Sequence, residues 1–89
     1  ARAAFAWARP RLEQIARLAR DGRPPSVPCR VGPFAIRQVE VKESRAVCLW
    51  TDLDPVGRSG FVQCPKEDTP LNLWSQVPLG NGWQYVTED

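Results

Sequence analysis

The sequence predicts an α+β fold: an N-terminal amphipathic helix packed on a four- to five-stranded antiparallel meander. Three observations lead there. Residues 4–21 carry apolar side chains at three- and four-residue spacing, the period of a helix with one buried face. Residues 45–53, RAVCLWTDL, are apolar in both alternating sets, as a strand is when it is covered on both faces. Nine Pro and six Gly cut the remainder into short elements joined by turns. A chain of 89 residues suits one domain. Its expected parts are a basic helix over 1–23, a Pro-rich linker over 24–33 and a β region over 34–89, all in one globular unit.

In the helix, Phe5, Ala8, Leu12, Ile15, Ala16 and Ala19 form the apolar stripe, which Leu18 widens. Arg2, Arg9, Arg11, Arg17 and Arg20 lie mostly off it. Pro10 is awkward, because inside a helix it removes a hydrogen bond at a cost of ~3 kcal/mol. The regular helix is therefore expected to begin near Arg9 or Pro10, with Phe5 and Trp7 in a preceding turn, or else to bend there. Gly22 is a natural C-cap, and Pro24-Pro25 prevents continuation. Arg23 to Pro33 should run extended and stiff, with Cys29 and Val31 as its candidates for packing.

Phe34 to Lys42 reads as a strand, joined to the central one by the polar turn Lys42-Glu43-Ser44-Arg45. Asp54, Pro55 and Gly57 make a second hairpin connection, leading to a strand at Ser59 to Cys64. Centring the first turn on the polar quartet puts 39 opposite 48, 37 opposite 50 and 36 opposite 51. Centring the second on Val56 puts 48 opposite 64, 50 opposite 62 and 51 opposite 61. One face then reads Val41/Ala46, Val39/Cys48/Cys64 and Arg37/Trp50/Val62. The other reads Gln38/Leu49/Gln63, Ile36/Thr51/Phe61 and Phe34/Leu53/Ser59. A one-residue slip would exchange these faces.

Pro65 to Pro70 reads as an exposed loop. Leu71 to Val77 is a fourth strand or a helical turn leading into one, and Pro78 keeps it short or on an edge. Leu79-Gly80-Asn81-Gly82 carries the Asn-Gly pair of tight hairpins, and Trp83 to Thr87 alternates as a last strand. A sheet apolar on both faces needs two covers. The helix supplies one; the other would come from the C-terminal hairpin folding over, or from curling into a small barrel. Residues 31–89 have the length of five-stranded barrels of the SH3 kind, and Gly57 to Val62 (GRSGFV) resembles an SH3 strand; the likeness implies a size.

Several chemistries are poorly supported. The chain has no His, so the commonest general base and the usual activator of a Ser or Cys nucleophile are missing. Asp52 and Asp54, beside Pro55 and Gly57, read as turn-shaping residues. No phosphate-binding glycine motif is present. Cys29, Cys48 and Cys64 lack a fourth ligand and the close spacing of a zinc site. No catalytic residue, metal or cofactor is assigned. Cys48 and Cys64 are instead a candidate cross-strand disulfide, or thiols packed in the core.

The four Trp are the chemically informative group. Trp50 is expected in the core with Arg37 stacked on it. Trp74 and Trp83 flank the final hairpin and are positioned to stack on each other. Together with Tyr85 and Arg58 they form a candidate binding surface, since Trp, Tyr and Arg dominate interface hot spots. The competing reading is burial, the usual fate of Trp. Trp7 and Phe5 among the arginines suggest a segment just outside a membrane, against the plainer reading of an amphipathic helix docked on the sheet.

Residues 1–30 hold seven Arg against Glu13 and Asp21, a balance of +5, whereas 31–89 hold five basic and eight acidic residues, a balance of −3. The expected function is a non-enzymatic protein-interaction or scaffold domain. Its partner would be another protein or the rest of a longer chain, of which the missing initiator Met suggests this is a fragment. Pairing of two copies through the helix stripe or an open sheet edge is a further expectation. The alternatives are a nucleic-acid-binding module using the Arg-rich helix, disfavoured by the acidic sheet region, and the soluble domain of a membrane-anchored protein.

Overall fold

The computed structural model describes residues 2–43, 45–54, 57–64, 73–80 and 82–88. One helix, α1 (Arg2–Arg20), packs on antiparallel strands β1 (Cys29–Val31), β2 (Phe34–Ile36), β3 (Gln38–Val41), β4 (Val47–Asp52), β5 (Ser59–Gln63), β6 (Leu73–Gly80) and β7 (Trp83–Glu88). The main sheet has the order β3-β4-β5-β7-β6, and β1 and β2 form a separate two-stranded sheet. The architecture is α+β, and the described strands do not close into a barrel. The last hairpin enters with β7 beside β5, which leaves β6 on the edge, where its Pro78 costs least.

The apolar stripe of α1 is buried as its spacing demands: Phe5, Ala8, Leu12, Ile15, Ala16 and Ala19 all lie in the core. Burying a side chain such as Leu12 or Ile15 contributes roughly 1.5–3 kcal/mol. The helix runs on through Pro10 from Arg2, which brings Phe5 and Ala8 upstream of it into the same core, and Pro10 sits exposed on the solvent side. At the other end Gly22, at φ 76°, closes the helix: its N–H donates to Ala19 O and that of Arg23 to Leu18 O. This is the Schellman arrangement, which satisfies the last carbonyls.

β4 is the middle of the fold. It pairs with β3 on one side and β5 on the other, and Ala46 to Trp50 are all buried. The registers differ from those expected. Val39 faces Leu49 and Glu40 faces Cys48, a slip of one residue. The cause is an odd turn: Lys42 N–H donates to Ala46 O and Arg45 N–H to Lys42 O, and Arg45 sits at φ 74°. A left-handed last residue is how three-residue hairpin loops close. The slip carries Val39 to the helix side and turns Gln38 and Glu40 outward.

On the other side Cys48 faces Val62 and Leu49 faces Phe61. This is a slip of two, so the faces are kept; the pairing is irregular between Trp50 and Asp52, where a bulge takes up one residue of the difference. Gly60 faces Trp50 so closely that a Cβ there would lie 2.7 Å from the Trp50 Cα. The expected strand from Phe34 is broken at Arg37. Its first half turns back to pair with Cys29–Val31, a strand inside the expected linker.

Two cores result, one on each face of the sheet. The larger joins the α1 stripe to Val31, Ile36, Val47, Leu49, Phe61 and Trp83. The smaller holds Ala46, Cys48, Trp50, Val62, Cys64 and Val86. No helix among the described residues is long and apolar enough to cross a membrane.

Candidate functional site

The expected surface of Trp74, Trp83, Tyr85 and Arg58 does not assemble. Strand alternation puts Trp83 on the helix side, opposite Gln63, and its indole is 1% exposed. It meets Phe5 edge-on at 5.9 Å, and among the described residues its buried Nε1 has no hydrogen-bond partner. Tyr85 is half-buried on the same face, edge-on to Phe61 at 5.1 Å, with its hydroxyl 3.2 Å from Thr51 Oγ1. Arg58 lies on the opposite face. The side chain of Trp74, and so its stacking on Trp83, lies outside the described residues.

Arg58 covers Trp50, its guanidinium carbon 4.3 Å from the ring centroid. The cation expected there was Arg37, but the broken strand carries that residue to the surface, where its Nε donates to Thr51 O. The indole Nε1 of Trp50 donates to Glu40 Oε1 at 3.2 Å, and Glu40 also pairs with Arg58 at 3.5 Å and Lys42 at 3.3 Å. Burial raises the Glu40 carboxyl, but the Trp50 hydrogen bond and the two cations outweigh it. The pKa ends below its ordinary value. With every group engaged, this network reads as cover for the smaller core.

The cysteines form no disulfide among the described residues. Cys48 and Cys64 share the smaller core, but Val62 stands between them in the register, directly opposite Cys48. Both are buried thiols, which keeps them from solution reagents. Asp52 Oδ1 accepts from Asp54 N–H at 3.1 Å, the turn-shaping role expected of it. Those two carboxylates, with Arg37, Thr51, Pro28 and Leu53, line an open cleft of about 700 Å³. No group of three metal-ligating side chains occurs among the described residues.

The outward side chain that sequence reasoning left out of the binding surface, reading it with Phe5 as a patch beside a membrane, is Trp7. It is 74% exposed, on the solvent face of α1. Phe5 is two residues away, about 200° around the helix, and so goes into the core while Trp7 cannot. The indole rests on Gly32 in the β1–β2 turn, where a Cβ would lie 2.7 Å from its Cζ3. Gly32 is at φ 57°, so this turn and this contact both favour glycine. Ala3, Ala6 and Pro10 are exposed nearby, and Arg11 stands one turn on, its guanidinium held by Gln14 Oε1 at 2.8 Å. A large apolar ring is thus held in place and left in water beside a cation. The signal for it in the sequence is that Trp7 lies off the apolar stripe while its neighbour Phe5 lies on it.

Comparison with known proteins adds no assignment: no protein-family model matches the chain, and neither the curated proteins nor the solved structures include a significant match.

Proposed function

We propose that the chain is a non-enzymatic protein-interaction domain that docks a partner segment on the solvent face of α1, with Trp7 as the anchor. The observation that carries this reading is the 74% exposure of Trp7 on a helix whose other large apolar side chains are covered. Trp concentrates binding energy at interfaces, and one already held against Gly32 has little rotamer freedom left to lose on docking. Arg11, one turn on along the same face of α1, stands beside the ring, so the partner that fits is an acidic segment with an apolar side chain to set against the indole. The absence of His from the chain and the burial of Cys48 and Cys64 favour binding over catalysis.

The test is selection of peptides from a random display library against the immobilised chain. The expected winners are acidic with at least one aliphatic or aromatic residue. They should lose about tenfold or more in affinity on Trp7→Ala, since a hot-spot truncation costs ~2 kcal/mol. Val77→Ala, an exposed apolar residue on β6, should leave them unchanged. Winners indifferent to Trp7→Ala would overturn the reading.

A further inference from the structure

At the far end of α1, about 15 Å along the axis from Trp7, a second feature stands apart from the docking face. Glu13, Arg17, Arg20, Asp21, Arg45 and Gln63 line a pocket of about 270 Å³. Arg20 is fixed in its wall by three hydrogen bonds: Nε donates to Arg45 O at 2.9 Å, and the two terminal nitrogens to Gln63 Oε1 at 2.6 Å and Gln63 O at 3.4 Å. The left-handed backbone of Arg45 (φ 74°) carries a second guanidinium to the same pocket, and α1 supplies a third from Arg17. Among the described residues, none of these three arginines has a carboxylate within the 4.0 Å of an ion pair. Glu13 turns to Arg9 instead, at 4.0 Å.

We propose that Arg17, Arg20 and Arg45 form a binding site for a phosphate-type oxyanion. Three guanidinium groups around a space of this size offer the forked donors that a tetrahedral, multiply charged anion takes up. Arg45 and Arg20 repel each other: Arg20 is held below its ordinary pKa, first by burial and then by the charge of Arg45. An anion would relieve that repulsion. Glu13 and Asp21 on the rim leave a local balance of about +1, which favours a compact ligand that reaches the guanidinium groups over an extended polyanion.

The test titrates the chain at pH 7 and constant ionic strength with inorganic phosphate, O-phospho-L-serine and chloride, following the arginine Nε–H signals by NMR. Arg45→Gly is the informative variant, because glycine accepts the left-handed backbone and removes the cation without disturbing the turn. The expected result is saturable shifts of Arg17 and Arg20 with phosphate and phosphoserine but not chloride. Affinity should be about tenfold or more weaker in Arg45→Gly and unchanged in Arg30→Ala, an exposed arginine of β1 outside the pocket. Tighter binding of phosphoserine would mark a phosphorylated side chain as the source, and equal binding free phosphate. Unsaturable shifts, or equal losses in Arg45→Gly and Arg30→Ala, would overturn the proposal. Retained peptide binding at Trp7 in the same variants keeps this outcome separate from the docking reading.

Discussion

The Arg58 guanidinium lies 4.3 Å from the centre of the Trp50 ring, while Glu40 receives hydrogen from the indole and pairs with Arg58 at 3.5 Å. A tryptophan on the outer face of the central strand is thereby sealed to 0% exposure by charged residues. The aliphatic stem and flat head of Arg58 serve as packing as much as charge. Arg58→Ala should destabilise the fold by about 1–2 kcal/mol, as expected for a desolvated cation–π contact. Urea unfolding at neutral pH measures it; a change below the error of the fit would show that Trp50 does not depend on this cover.

Glu40 predicts a pH dependence. Burial works to raise its carboxyl, but the Trp50 hydrogen bond, Lys42 and Arg58 bring it below the ordinary value of about 4.3. A carboxyl depressed in the folded state stabilises above its unfolded pKa and loses that contribution as pH falls through the folded value. Stability measured from pH 6 downward should therefore fall more steeply in the wild type than in Glu40→Gln, with the difference confined to the region below about pH 4.3. Parallel curves would contradict the assigned network.

Pro10 sits inside α1 and is exposed. Its ring removes one helical hydrogen bond without filling any core position. Pro10→Ala should raise stability by about 1–3 kcal/mol, the lower figure allowing for the freedom alanine restores to the unfolded chain. Thermal unfolding followed by circular dichroism would show a higher midpoint, and a lower one would mean that the proline shapes a bend the packing requires.

Gly60 predicts the opposite sign. A Cβ there meets the Leu49 carbonyl and lies 2.7 Å from the Trp50 Cα, both backbone atoms that cannot swing away. Gly60→Ala should cost about 1–3 kcal/mol, as overpacking does. A neutral result would mean that β4 and β5 separate freely at the bulge.

The elements that were legible in the sequence are those with a sustained period. The Phe5-to-Ala19 stripe and the double-sided run through Trp50 each repeat their signal over several residues, and both took the predicted form. What was not legible hung on single residues. Arginine gives no sign of a left-handed conformation, so the odd loop at Arg45 and the face of Val39 were hidden. Cys29–Val31 is too short to show alternation, and prolines surround it. For Trp83, alternation alone does not say which side of the sheet the helix will cover. The Trp7 site follows from where Trp7 falls relative to the stripe, a relation visible in the sequence once the helix is known to continue upstream of Pro10.

The docking reading rests on Trp7 being both open to water and the place where a partner lands. Fluorine NMR of the chain labelled with 5-fluorotryptophan, with resonances assigned by single Trp→Phe variants, tests both at once. A soluble paramagnetic agent should broaden the Trp7 line and spare those of Trp50 and Trp83. Adding a selected acidic peptide should then shift the Trp7 line and protect it from broadening. A Trp7 line that the agent does not reach, or that the bound peptide leaves unmoved, would contradict the account.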